Sequence, residues 1–273
     1  MSTFENTRKA TTFNDRIHIF EEAVDTVFND DGLRVCRITM WVDTSGSMSG
    51  HAADMTKGTK NLLTELAEKN KNGEDCQFLV KIVTFNNDVH VLNNEFLDPA
   101  QLLEVVDDST FSCDGGTNLT ALLREMDAAC SRQAEGFKGA HRSDYKPVNV
   151  LITDMHGTDT QSARDAALNR LMDNQLFTKK SEVLCVYVGS ENDIHYVEKL
   201  AGGKENIVSI SDSENLSKYI TPVVMGSSVL SSIETHVNGQ KSNGSLAEEA
   251  KNRAGDGEKS AKQLMDEIMN TLN

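Results

Sequence analysis

The chain has 273 residues, of which 38% are hydrophobic and 25% charged, and its formal net charge at pH 7 is -15. That length can bury one large core without disulfides or structural zinc. The excess of negative charge repels phosphate backbones, which argues against nucleic acid as a direct partner. No apolar run approaches the roughly 20 residues that a membrane helix needs, so no membrane partner is expected either.

Residues 13–28 place Phe13, Ile17, Phe20, Val24 and Val27 at helical spacing, with Asn14 as a cap and Asn29-Asp30-Asp31-Gly32 as a stop. Residues 34–42 (RVCRITMWV) are apolar and β-branched and predict a buried strand. A helix over 55–66 follows. Residues 78–85 (FLVKIVTF) predict a second strand, and Asn86-Asn87-Asp88 turns it into a hairpin partner at 89–92. A short helix is expected after Pro99, then an amphipathic helix over 119–130, with 131–146 polar and loop-like. Residues 148–153 (VNVLIT) predict a third long strand. A helix over 162–176, a strand at 182–188, a helix at 193–200, a strand at 206–210 and a helix at 214–224 complete the alternation.

Strands alternating with helices predict an α/β fold: a doubly wound, mostly parallel central sheet with one antiparallel edge strand and helices on both faces. After about residue 225 the composition turns rich in Ser, Gly, Asn, Lys and Glu, as a linker does. Residues 262–272 then bring Leu264, Met265, Ile268, Met269 and Leu272 to one face of a short helix. The expected organisation is an N-terminal helical extension (1–32), one α/β domain (33–226), and a linker with a C-terminal amphipathic helix (227–273). The opening MSTFENTRKATTF lacks the apolar stretch of a signal peptide. Cys36, Cys76, Cys113, Cys130 and Cys185 are scattered, odd in number and form no CxxC pair. A reducing cytoplasm is therefore the expected setting, with packed thiols. Cys113 differs in directly preceding a polar loop.

Three loops carry the chemistry. Asp43-Thr44-Ser45-Gly46-Ser47, a DxSxS motif, follows the first strand. Asp43 supplies charge, Ser45 and Ser47 supply neutral hydroxyls, and Gly46 allows the bend. Oxygen donors of this kind suit a hard cation. The second loop, Asp114-Gly115-Gly116-Thr117-Asn118, exposes a threonine hydroxyl before a helix. The third begins at Asp154, a carboxylate at the exit of an apolar strand, which is costly unless it has a partner. All three lie at strand C-termini, where open α/β sheets bind ligands, and the ligands are expected on surface loops outside the core. His51 and His156, close to these loops, read as surface histidines.

The constellation resembles the metal-ion-dependent adhesion site of von Willebrand factor A domains, in which DxSxS is followed by a distant Thr and then a distant Asp. The resemblance covers about residues 34–225 and implies Asp43, Ser45, Ser47, Thr117 and Asp154 as the metal site. It also implies one Mg²⁺, with Mn²⁺ or Ca²⁺ as alternatives, an open position for an acidic residue of a protein partner, and serines that touch the metal while aspartates often act through water. Within the family, the chain looks similar to the tellurium-resistance-associated TerY-like group, on the residues DTSGSMSG, DYKPVNVLITDMHGTD and MGSSVLSSIE. That group implies a bacterial or phage setting, tellurite or other stress responses, and kinase or phosphatase partners. Two features depart from the pattern. Met155 and His156 stand between the final aspartate and Gly157, where the family commonly has Gly at once, and about thirty residues precede the first strand.

The expected function is a metal-dependent protein-binding adaptor without catalysis. The sequence has no GxSxG, no DxD after the first strand, no HExxH and no GxxxxGK[ST]. A metal-dependent phosphoester hydrolase and a structural subunit that self-associates through its tail are the alternatives.

Overall fold

The structure, a computed structural model, describes residues 34–72, 76–136, 145–189, 194–211 and 215–227. The expected helices over 13–28 and 262–272, and the linker between the domain and the latter, lie outside the described residues.

Strand β1 (Arg34–Asp43) is a near-continuous apolar run buried on both faces, as a central parallel strand must be. It leads through a short 3-10 turn (Gly46–His51) into helix α1 (Ala52–Lys71). Strand β2 (Cys76–Phe85) pairs parallel to β1, and β3 (Val89–Val91) returns antiparallel to β2. Helix α2 (Pro99–Val105) starts at a capping box formed by Asp98 and Gln101, with Pro99 in the first turn. Helix α3 (Leu119–Gly136) precedes β4 (Val148–Thr153). Helices α4 (Gln161–Asp173) and α5 (Gln175–Lys180), strand β5 (Glu182–Val188), helix α6 (Ile194–Ala201), strand β6 (Ile207–Ile210) and helix α7 (Ser217–Met225) follow.

The sheet order is β3-β2-β1-β4-β5-β6, parallel except for the β3 edge. Alternation along the strands divides the core. Ile38, Met40 and Val42 point to the layer that includes Leu62, Leu63 and Ile220. Trp41 and Leu151 point to the opposite layer, with Leu122, Met126 and Leu168. Trp41 also donates its indole N–H to Asn149 Oδ1 at 3.0 Å, which satisfies the one polar atom it takes into the core.

Several helix assignments differ from the sequence expectation, beginning with α1, which spans Ala52–Lys71 where 55–66 was expected. Helix α3 continues past Cys130 to Gly136, because Ser131, Arg132 and Gln133 are polar but do not break a helix. The expected helix over 162–176 is two helices. Asn174 takes an extended backbone (φ -74°, ψ 107°), and its side chain accepts the N–H of Leu176, so it ends α4 and caps α5.

Chain order reverses between β1 and β4: the chain moves outward from β1 to β2 and β3, then returns to β4 on the other side of β1. The crevice beyond the C-terminal ends of β1 and β4 is therefore the topological switch point.

Candidate metal centre at the sheet switch point

The register that pairs Val42 with Ile152 brings Asp43 beside Thr153. Thr153 donates its hydroxyl hydrogen to Asp43 Oδ2 at 2.6 Å. The backbone N–H of Ser45 binds Asp43 Oδ1 at 2.9 Å, which starts the turn. Ser45 stands at the N-cap position of the 3-10 turn, yet its hydroxyl makes no cap bond. It lies 3.1 Å from the Ser47 hydroxyl instead. The ordinary turn-and-cap role of a serine therefore does not account for this pair.

The second loop is tied to the first by two backbone bonds, Gly46 N–H to Gly115 carbonyl at 3.0 Å and Asp114 N–H to Thr44 carbonyl at 2.9 Å. Gly115 has φ 67°, and Gly116 leaves no room for a side chain: a Cβ there would meet Thr158 Oγ1 at 2.7 Å. The loop after β2 braces the same segment. Asn87 Oδ1 accepts the Gly116 N–H at 3.0 Å, and Asn86 donates its side-chain N–H to Asp114 Oδ1 at 2.8 Å. The third loop then closes the ring, because the Thr117 carbonyl accepts the Thr158 N–H at 2.8 Å.

These bonds draw the Asp43–Ser47, Thr117 and Asp154 loops into one cluster. Asp43, Ser45, Thr117 and Asp154 are buried, and only Ser47 is exposed. The side chains thus sit inside the rim of the sheet rather than on surface loops, which corrects the sequence expectation. The reason is that β1 and β4 are interior strands, covered on both faces up to their ends. His51 is likewise buried, at the end of the turn, and not a surface histidine.

Burial pushes the Asp43 carboxyl up to about 6, hydrogen bonds from Ser45 and Thr153 oppose that rise, and the charge of Asp154 adds to it. Among the described residues neither carboxylate pairs with Lys or Arg; the cationic candidate is His156, with Nδ1 3.3 Å from Asp154 Oδ2. Two buried carboxylates and neighbouring hydroxyls form an oxygen donor set with uncompensated negative charge, which fits a hard divalent cation.

Thr153, Asn86 and Asn87 join the site without having been expected there from the sequence. Thr153 carries a signal, as the polar residue that ends an otherwise apolar strand. The asparagines read only as a turn. Cys113, half-buried beside this cluster, has its thiol pushed up to about 11 by burial and by the charges of Asp43 and Asp114, so it is a poor nucleophile.

Residues 38–222 match the sequence profile of the von Willebrand factor type A domain. The chain belongs to this family. No curated protein is similar to it in sequence. Among solved structures, this von Willebrand factor type A domain is similar to the pilus adhesin SpaC from Lactobacillus rhamnosus GG in its open conformation. The identity is 15%, the TM-score 0.52, and the match covers 70% of this chain and 30% of that one. It is also similar to proximal thread matrix protein 1 from the mussel byssus, with 16% identity, a TM-score of 0.51, and coverage of 71% and 49%. The manganese-loaded TRAP protein of Plasmodium vivax matches with 14% identity, a TM-score of 0.46, and coverage of 67% and 71%. The chain spans less than half the length of the first two, and the likeness at these identities is one of fold.

Proposed function

We propose that this von Willebrand factor type A domain holds one divalent cation through Asp43, Ser45, Ser47, Thr117 and Asp154, and presents it to a carboxylate of a protein partner. The observation that carries this reading is the pair of buried carboxylates at the switch point, with no Lys or Arg beside either among the described residues. Removing a carboxylate from water without a counter-charge is unfavourable by several kcal/mol or drives it to protonate. Two such groups at one end of the sheet, held by Thr153 and by backbone N–H groups, support the reading of a site that receives positive charge.

The cation would supply an electrophilic centre for an external oxygen ligand. The chain's residues do the rest. Both Asp43 oxygens already accept a hydrogen bond, which leaves that carboxylate to act through its remaining lone pairs. The Ser45 and Ser47 hydroxyls add donors without adding charge, so the local charge is two carboxylates at most. Mg²⁺ binds few protein carboxylates and keeps open positions, which suits this count, and Mn²⁺ and Ca²⁺ accept the same donors. An acidic residue of the partner can then contribute a charge-assisted contact. The net charge of -15 opposes an acidic partner at long range, but physiological salt screens it beyond about 8 Å. The partner therefore carries a local Asp or Glu on a neutral or basic surface.

Lys146-Pro147 before β4 and the Ser-rich exit MGSSVLSSIE support placing the chain near the TerY-like group, as an intracellular adaptor in a tellurite or stress response with phosphorylation-linked partners. The test is capture of a partner by the full chain. Binding should disappear with EDTA, return with Mg²⁺, and fall in Thr117→Ala. Capture indifferent to both EDTA and Thr117→Ala would place the interface elsewhere.

A further inference from the structure

The two faces of the β3-β2-β1 half of the sheet are covered unequally. On one face Cys36, Ile38, Phe78 and Val80 are fully buried in the layer with Leu63 and Leu102. On the other face, that of Trp41, alternation places Val35, Arg37, Gln77 and Lys81, and all four are only half-buried. Val91, which pairs with Val83 from the β3 edge, is 38% exposed. Val83, Val91 and Phe96, with Ala129 of α3 and Trp41, line a pocket of about 50 Å³. That is far below the roughly 300–1,000 Å³ of a small-molecule site, so the pocket suits an inserted apolar side chain.

The rim of this groove is basic. Lys81 Nζ stands 5.1 Å from the centre of the Phe96 ring, Arg37 lies further down β1 on the same face, and Arg132 of α3 lies at the edge with Glu125. In a chain of net charge -15 this is a local inversion of sign.

Residues 13–28 complement that surface. They lie outside the described residues, and their sequence predicts a helix with Phe13, Ile17, Phe20, Val24 and Val27 on one face. Glu21 and Asp25 border that stripe, and the segment carries four acidic residues against Arg16. Residues 29–33 join it to Arg34 at the start of β1. Extended, that tether reaches roughly 20 Å, and Thr39, beside the pocket, lies about 16 Å along the strand from Arg34. A helix of this length is about 24 Å long, enough to run back along the sheet.

From the half-covered face, its basic rim and this short tether, we infer that residues 13–28 dock as an amphipathic helix in the groove between α3 and β3 and seat an apolar side chain against Trp41 and Val83. The tail segment 262–272 has a similar apolar pattern, but residues 228–261 separate it from the domain, and a long tether gives a lower effective concentration. The inference is independent of the cation reading.

The test uses the full chain. Trp41 is the only tryptophan, so its emission reports on the groove. Phe20→Asp places a charge on the apolar stripe, and Thr26→Asp places one on the opposite face as a control. Phe20→Asp should red-shift Trp41 emission and speed amide exchange in β3 by about tenfold or more, with β4 and β5 unchanged. Thr26→Asp should change neither. From the groove side, Val91→Glu, at an exposed position, should abolish amide protection over residues 13–28. Unprotected amides over 13–28 in the wild-type chain would overturn the inference, as would protection that survives Val91→Glu. A response that scales with protein concentration would assign the groove to a second copy and overturn it too. So would a red shift in Ile268→Asp but not in Phe20→Asp, which would assign the groove to the tail.

Discussion

At the scale of single residues, Asp43 sets the proposed cation binding against stability. Its carboxyl titrates near 6 in the fold, against about 3.9 in an unfolded chain, so ionisation is less favourable when folded. A raised carboxyl contributes its full stabilisation below pH 4 and loses it as pH rises through about 6. At pH 7 without metal, the difference of about two pH units corresponds to roughly 3 kcal/mol of lost stability. Asp43→Asn removes the charge and keeps one acceptor, so it should raise metal-free stability by about 1–2 kcal/mol at pH 7.5, and by little below pH 4. Thermal melts in EDTA at the two pH values check this; a less stable variant at pH 7.5 would contradict it. Asp43→Ala is a poorer probe, because it strands the Ser45 N–H and the Thr153 hydroxyl.

Met155, with φ 56°, is a second residue-scale case. The left-handed backbone costs a non-glycine residue about 1–2 kcal/mol, yet its side chain is 1% exposed and packs in the layer with Leu119 and Leu151. Burying it recovers about 2–3 kcal/mol. Met155→Gly should therefore destabilise by about 1 kcal/mol despite relieving the backbone, measured as a lower urea midpoint. A more stable glycine variant would show that backbone strain outweighs side-chain burial.

At the scale of elements, the third loop holds the second. Asp159 Oδ2 accepts the Thr120 N–H at 2.9 Å and also the Thr120 hydroxyl, so it ties down the first turn of α3 three residues after Thr117, beside the cap that Asn118 Oδ1 makes by accepting the Ala121 N–H at 3.0 Å. The Asp159 side chain also faces Arg164 Nε at 3.9 Å. Asp159→Ala should cost about 1–2 kcal/mol, because it leaves the Thr120 N–H and hydroxyl without their acceptor. It should also weaken cation binding, because the start of α3 positions Thr117. Hydrogen exchange should show faster exchange at the first turn of α3. Unchanged exchange and unchanged cation affinity would separate Asp159 from the site.

For the whole molecule, any ion that binds only the folded state adds RT ln(1 + [L]/Kd), about 2.7 kcal/mol at a hundredfold excess over Kd. Full-length protein should therefore melt higher in Mg²⁺ or Mn²⁺ than in EDTA, and the increment should vanish in Asp154→Asn. A metal-independent melting temperature in the wild-type protein would count against a cation at the switch point.

Much of this was legible in the sequence because it is local. Apolar β-branched runs set the strands, and glycines and asparagines set the turns. The DxSxS pentapeptide, the Gly-Gly-Thr loop and the strand-ending Asp154 show oxygen donors by residue type alone. What only the tertiary structure decided depends on contacts between residues far apart in the chain. The sheet order puts β1 beside β4, and that adjacency lets Thr153 bind Asp43 across 110 positions. It also buries Asp43 and raises its carboxyl, because covering an interior strand on both faces is a property of the packed layers. The fold-back of His156 onto Asp154 belongs to the same class, since it follows from a left-handed Met155 that packing holds in place and that local propensity disfavours.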